Sequence, residues 1–402
     1  MKLVRKFNQV ICRNEDTDSQ VGIEIDNESI LVTFPKVYGL DFRNDAQRNK
    51  NIKLLIYILE KYKRKANQNN VYIHQDNLLD NLGEKFQFST CLWVLNDYLK
   101  NGYYIERESY YSRNISGNID FKKTIKKNNS FLSNSNIVYL EFIVKKNRTT
   151  MQNPVSIIHK YVVEQSFYFA GWLYPNSNFE KNIILPFSLK SAVKILNNEI
   201  QRSFIDYKKN LLKHLRDFLT GSAGENSKDE KKFLKVKKFE HVWEEMLREL
   251  IGNEETKAYN SKTFWWNEQA ELIKPNKDAM PDIIYKAEDL LLVLDAKYYP
   301  FFKDRNGLPS TVDINKQIAY SSAIKNNWNI NRVIDAFLLP NVNESNLITY
   351  FGYATSEFMK DKKVHGIFID IYSVMKIYLG SINSFDLQSE IYNLLKRKED
   401  ED

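Results

Sequence analysis

The stretch MPDIIYKAEDLLLVLDAKYYP, Met280–Pro300, decides how this chain is read. Ile283-Ile284-Tyr285 and Leu290–Leu294 are two apolar runs, and the polar Ala287-Glu288-Asp289 between them predicts a tight hairpin turn. The second run is apolar throughout, as suits a strand buried on both faces. It ends in Asp295-Ala296-Lys297. Side chains alternate along a strand, so Asp295 and Lys297 point one way and Ala296 the other. Hairpin pairing then brings Asp282 beside Asp295. Neighbouring carboxylates repel unless a cation sits between them, which invites a hard, oxygen-loving metal such as Mg²⁺. Such a metal polarises a phosphoryl oxygen and lowers the pKa of a bound water. Lys297 suits the task of orienting that water or stabilising charge in the transition state. The plain alternative is a solvated Asp–Lys pair at a strand end. The apolar run before the pair argues against it, because a buried charge is costly without a partner.

Composition sets the bounds. The chain has 402 residues, long enough for two or three domains. Lys and Arg number 58 against 51 Asp and Glu, a mildly basic balance that is compatible with nucleic acid without identifying it. Two cysteines, Cys12 and Cys91, support neither a disulfide framework nor a zinc cluster, which fits a reducing cytoplasm. The N-terminus lacks an apolar signal core and no run approaches a membrane span. No glycine precedes Lys-Ser or Lys-Thr, so the chain has no P-loop and no nucleotide is expected by that route.

Three regions follow from patterning: 1–150 as a mixed α+β domain, 151–225 as helical connection and linker, and 226–402 as an α/β domain around the hairpin. In the first, Val21–Ile25 and Ile30–Phe34 read as strands. Asn51–Lys65, Asp76–Leu82 and Ser89–Asn101 read as helices, the last capped by Ser89 or Thr90 and closed by Gly102. Tyr103–Arg107 and Ile137–Val144 read as further strands. Ser116–Thr124 carries a basic cluster, Lys122, Lys123, Lys126 and Lys127, suited to a phosphate backbone, an acidic partner or plain solvation. Asn153–Leu173 predicts a long helix. His159 within it has no second histidine at ligand spacing and reads as a packed side chain. Ser188–Leu219 is an amphipathic helical tract with basic residues on one side. Gly221–Lys232 is the best linker.

In the last region, Phe239–Ile251 is a helix with Val242, Met246, Leu247 and Leu250 as its apolar stripe. Glu240 and Glu244, four apart, share a face. Thr263–Gln269 is expected to start the sheet as an edge strand or loop. Asp313–Lys325 reads as a helix capped by Asp313, with Lys316, Gln317 and Tyr320 close together on it. Arg332–Pro340, Leu347–Ala354 and Val364–Ile371 are strands, and Tyr372–Leu379 a helix. The charged Lys396–Asp402 is expected to fray.

Pro281-Asp282 followed by Asp295-Ala296-Lys297 resembles the PD-(D/E)-x-K nuclease superfamily. The run DAKYY, Asp295–Tyr299, most resembles the McrC and LlaJI-type restriction endonuclease subunits. Ser116–Thr124 (SGNIDFKKT) and Asp97–Tyr104 (DYLKNGYY) resemble LlaJI-type segments. The resemblance implies a C-terminal restriction-endonuclease-like domain that cuts double-stranded DNA. Asp282, Asp295 and the Ala296 carbonyl would hold Mg²⁺ or Mn²⁺, and Lys297 would be catalytic. A Glu from the preceding helix would complete the set. The McrC-like pattern points to Glu240, and the LlaJI-like Trp-Glu pairing to Glu244. Gln317 and Tyr320 resemble a Gln-x-x-Tyr element, with Gln317 donating to phosphate and Tyr320 packing against sugar or base. A separate McrB-like GTPase of the AAA+ class is the implied partner, and a homodimer on DNA is compatible. Two other readings stay open: an autonomous type II enzyme, and a non-catalytic DNA-binding or assembly module on a degenerate nuclease fold.

Overall fold

The computed structural model describes residues 9–401 except 16–19, 27–28, 39–43, 69–76, 81–86, 114–115, 117, 134–135, 151–152, 175–176, 223–231, 261–263, 276–279, 289, 300–306, 329, 331, 343–345 and 381–384. The chain forms two compact units, and they do not follow chain order. One spans Gly83–Lys228, while the other joins Phe7–Leu82 to Asp229–Asp402. The split at 150 and 225 read from the sequence therefore differs from these units. Most of the Gly221–Lys232 linker lies outside the described residues.

The reason is a strand pairing across most of the chain. β1 (Gln9–Asn14), β2 (Val21–Ile25) and β3 (Ser29–Phe34) begin a sheet; helix α1 (Asp45–Asn67) follows, then the short β4 (Leu78–Asp80). After the other unit, β10 (Lys232–Val236) returns to pair antiparallel with β2 and with β4, giving the order β1-β3-β2-β10-β4. Gly22, at φ 148°, permits that close approach, since a Cβ there would collide with the Leu234 carbonyl. Leu78–Asp80 was expected to be helical. Its partner strand lies far away in sequence, so local patterning could not reveal it. Ile52, Leu55, Ile56, Leu59 and Tyr62 bury one face of α1 at helical spacing.

The Gly83–Lys228 unit carries α2 (Phe88–Asn101), β5 (Glu106–Arg113), β6 (Asn118–Ile119), α3 (Phe121–Lys127), β7 (Phe131–Ser133), β8 (Asn136–Val138), β9 (Ile143–Thr150), α4 (Pro154–Ala170), α5 (Leu189–Arg202) and α6 (Asp206–Ser222). Gly102 closes α2 as expected, but Gln87 occupies the N-cap position rather than Ser89 or Thr90. The strand expected at Ile137–Val144 is two strands, β8 and the start of β9, and the strand expected from Tyr103 begins at Glu106. The tract Ser188–Leu219 is two helices broken at Ser203. His159 is fully buried and its Nδ1 accepts the Tyr104 N–H at 2.9 Å. Burial pushes its pKa down to about 4, so it is the packed, neutral histidine the sequence suggested.

In the other unit, α7 (Glu240–Ile251), the hairpin β11 (Phe264–Trp266) and β12 (Leu272–Pro275), and the central pair β13 (Ile283–Ala287) and β14 (Leu290–Ala296) follow β10. Then come α8 (Thr311–Trp328), β15 (Arg332–Asn341), β16 (Ile348–Ser356), β17 (Met359–Asp370), α9 (Ile371–Tyr378) and α10 (Phe385–Asp400). The second sheet runs β13-β14-β15-β17-β16. β14, β15 and β17 are parallel, and antiparallel strands close both edges. All seven residues of β14 are buried, which is what its unbroken apolar run requires. α8 packs on one sheet face: Ile284, Leu291 and Val293 meet its Tyr320 and Ile324, and Phe337 and Leu339 meet its Ile318. The tail is helical to Asp400 rather than frayed, because Leu387, Ile391 and Leu395, at four-residue spacing, are buried.

Asp335, on β15 beneath α8, is buried and accepts from Gln317 Nε2 at 3.2 Å. Burial pushes its pKa up to about 7. A raised carboxyl pKa means the folded state binds the proton more tightly. The stabilisation is complete below about pH 4, and is lost as pH rises through 7. Asp335→Asn should therefore gain stability over the parent at pH 8, by up to about 4 kcal/mol, with no gain at pH 4. Urea midpoints across that range check this; parallel curves for the two proteins would refute it.

Candidate active site at the end of the β13–β14 hairpin

The hairpin register fixes the site. Ile283 pairs Leu294 and Ile284 pairs Val293, so continuing the ladder one step sets Asp282 across from Asp295. Directly opposed residues share a sheet face. For this pair it is the face α8 covers, since Ile284 and Val293 two residues back pack on that helix. Asp282 Oδ2 accepts the Ala296 N–H at 3.0 Å, which ties the first carboxylate to the second strand. Asp295 is 2% exposed.

Lys297 stands between two carboxylates. Its Nζ is 2.8 Å from Asp295 Oδ2 and 2.9 Å from Asp313 Oδ1. Its backbone N–H continues the ladder to the Leu338 carbonyl at 3.0 Å. Asp313 does not cap α8 as an N-cap. Ser310 is the cap, accepting the Asp313 N–H, while Asp313 Oδ2 accepts from the Ser310 N–H at 2.9 Å and its hydroxyl at 2.7 Å. This reciprocal capping box fixes the carboxylate that faces Lys297. The sequence reading treated Asp313 only as a cap and missed this contact. A Ser-x-x-Asp pattern at a helix start was the available signal.

Electrostatics match the crowding. Burial first, then Asp295 and Glu244, push Asp282 up to about 8. Burial also raises Asp295, against the pull of Lys297. Asp295 and Asp313 both hold the Lys297 ammonium in its charged form, above the usual lysine value. Lys316, one helical turn beyond Asp313, is raised against its own desolvation by Asp295, and less by Tyr320 and Asp282.

The two candidate glutamates separate. The negative charge of Glu244 helps to raise both Asp282 and Asp295, whereas Glu240, paired with Lys238 at 3.5 Å, helps to raise Tyr298 and Tyr299 just past Lys297. Gln317 is not brought to the carboxylates. It is 1% exposed, and its Nε2 donates to the Val293 carbonyl at 2.7 Å and to Asp335. Tyr320 is packed in the core against Ile284 and Val293 rather than presented to a ligand. These two residues hold α8 on the sheet.

Supports that the sequence did not disclose stand behind the pair. Arg248 on α7 donates from Nε to the Asp282 carbonyl at 3.0 Å. Its Nη1 meets Glu245 Oε2 at 3.1 Å, and Glu245 Oε1 receives Lys65 of α1 at 2.6 Å. Tyr298 is buried; its hydroxyl donates to Glu15 at 2.8 Å and accepts the Lys36 N–H at 2.8 Å, so the β1–β3 region grips the chain just past Lys297.

Among the described residues no group of three or more His, Cys, Asp or Glu side chains is arranged to hold a metal alone. The two opposed carboxylates nevertheless fit a Mg²⁺-type ion. Such an ion binds through one or two carboxylates and keeps several waters. Only oxygen donors converge here, which suits Mg²⁺ or Mn²⁺ and not zinc. Among the described residues no helix is long and apolar enough to cross a membrane.

A family model described as LlaJI restriction endonuclease matches residues 20–379. The Type II restriction enzyme BsuMI component YdjA of Bacillus subtilis (strain 168) is 27% identical over 401 residues, covering 94% of this chain and 85% of that protein. McrC-bound McrB AAA+ hexamers from Thermococcus gammatolerans, solved as a half-complex, include a chain 14% identical to this one. The match covers 90% of this chain and 82% of that one, at a TM-score of 0.33, too distant to transfer geometry.

Proposed function

Since this chain belongs to the LlaJI restriction endonuclease family, a restriction-system nuclease, we propose that it is the Mg²⁺-dependent subunit that cuts double-stranded DNA. The observation that carries the reading is the opposed pair Asp282 and Asp295 with the Lys297 amine held on the second of them. We read its α/β domain as the PD-(D/E)-x-K type, on the mixed sheet and the hairpin end. Asp282, Asp295 and the Ala296 carbonyl would hold Mg²⁺ or Mn²⁺, with Glu244 rather than Glu240 adding its charge. The ion supplies a Lewis acid for the phosphoryl group when bound. Lys297, already fixed by two acids, places a positive charge where negative charge grows on the attacked phosphate. Asp313 keeps that amine aimed. Gln317 takes no direct part.

The partner implied by the DAKYY resemblance is an McrB-like GTPase, with nucleotide bound by that partner and not by this chain. The description of the Bacillus subtilis relative as a component agrees with a chain that acts in company. The test is plasmid cleavage by the chain with its partner and GTP, with and without EDTA; cutting that survives chelation would overturn the proposal.

Glu244→Gln and Glu240→Gln sharpen it. Glu244→Gln should weaken Mn²⁺ binding, read by calorimetry, roughly tenfold, as a lost supporting carboxylate does. Glu240→Gln should leave it unchanged. The reverse ranking would move the third acid to Glu240.

A further inference from the structure

The basic segment around Ser116–Thr124 takes no part in the cleavage centre, yet it presents a strongly basic surface. Residues 110–146 hold seven Lys and Arg against two acids, a surplus of five positive charges. Local structure presents them. Asp120 accepts the Lys123 N–H at 2.9 Å, capping α3, and the buried Thr124 hydroxyl accepts the Ile143 N–H at 2.9 Å. These bonds press one side of α3 onto β9. The opposite side shows an apolar pair, Phe121 and Ile125, 64% and 61% exposed and one turn apart. Lys122 and Lys126, also one turn apart, are exposed beside them. Lys122, Lys126 and Lys127 form no ion pair with any described residue.

A cleft of about 270 Å³ opens at the C-terminal end of α3, lined by Arg113, Lys127, Asn128, Asn129, Phe131 and Glu141, with Leu140 at its edge. Its one acid, Glu141, is 3.7 Å from Arg113, and both side chains are largely exposed, so the pair is weak and Arg113 is available to another anion. Cations near a helix C-terminus are ordinary dipole compensation, which accounts for Lys126 and Lys127. It does not account for Lys122 at the other end, for Arg113 on a strand, or for the exposed rings between the charges. Exposed cations one helical turn apart, with two more at the mouth of a cleft, are what a phosphate backbone requires.

We propose that this face of the Gly83–Lys228 unit is a second DNA-binding surface. Lys122, Lys126 and Lys127 contact the phosphate backbone, and Arg113 at the cleft takes a further phosphate. The choice of DNA as the polyanion rests on the restriction-nuclease reading. Binding here is blind to sequence, because backbone contacts position without specifying.

The test is binding of the full chain to a labelled duplex of arbitrary sequence, in EDTA, across a salt series. The triple variant Lys122→Ala, Lys126→Ala, Lys127→Ala should lower the slope of log K against log salt by about 2–3, near 0.9 for each phosphate contact. The triple Lys→Arg variant should keep the parent slope. Arg113→Ala alone should lower the slope by about 1, one phosphate contact. A parent slope in the alanine variant, no duplex binding by the parent, or selective binding of an acidic protein instead would overturn the proposal. Cleavage is scored separately with the partner present. A parent that cuts while the alanine slope stays put sinks only this surface. A parent that binds as described but never cuts sinks only the nuclease reading.

Discussion

Lys297→Met is expected to abolish DNA cleavage while divalent-ion binding survives; Asp295→Asn is expected to remove both. The split follows from what each group touches. Asp295 is the more buried of the opposed acids and offers the oxygens that an ion would need. Converting it to an amide removes one of the two opposed carboxylates, and Asp282 alone is too little. Lys297 offers no lone pair while it is protonated, and its neighbours keep it so. Its loss costs electrostatic stabilisation of the transition state, a rate factor on the order of 10²–10³. It also leaves Asp295 and Asp313 without their shared cation. The metal-free variant should then lose stability, and Mn²⁺ should restore more of it than in the parent, because the ion takes over neutralisation. Cleavage rate, Mn²⁺ calorimetry and melting with and without the ion give three independent readouts. A Lys297→Met enzyme cutting within threefold of the parent would remove lysine from the chemistry. Normal ion affinity in Asp295→Asn would move the metal elsewhere.

The hairpin was legible because everything that defines it is local. Apolar runs, a polar turn and alternation place Asp282, Asp295 and Lys297 on one face within sixteen residues, and the observed register agrees. What failed needed long-range knowledge. Leu78–Asp80 has a helical look until β10 arrives to pair with it. Lys396–Asp400 looks like a solvated tail, yet the apolar positions just before it seat the helix and carry the charges along. Gln317 and Tyr320 show the limit of spacing: a helix period tells which residues share a face, not whether that face meets a ligand or a sheet. Asp335, apolar-flanked on β15, hid the polar group that claims Gln317. Nothing local marks Arg248 or Glu245 on their amphipathic helix, because Lys65 and the Asp282 carbonyl belong to other elements.

That last set predicts the second large effect. Glu245→Ala should destabilise the protein by about 3–5 kcal/mol, the usual cost of removing one partner from a buried ion cluster. Glu245 is 4% exposed and is shared between Lys65 at 2.6 Å and Arg248 at 3.1 Å, so its removal takes a carboxylate from two cations at once. Lys65 keeps Glu249, which softens the loss on that side. Arg248 keeps the Asp282 carbonyl, but without Glu245 to fix its guanidinium that contact loosens. Asp282 then loses the strut behind its backbone, and metal affinity should fall although no ligand has changed. Glu249→Ala is the control: it meets the same Lys65 and also Lys61, but it is about a third exposed, so its loss should cost about 1 kcal/mol or less and leave ion binding intact. Urea denaturation followed in the unit that holds the nuclease sheet, with Mn²⁺ calorimetry beside it, separates the two variants. If Glu245→Ala and Glu249→Ala lose equal stability, the cluster is surface decoration. If Glu245→Ala loses stability but binds Mn²⁺ as the parent does, Arg248 supports the fold and does not position Asp282.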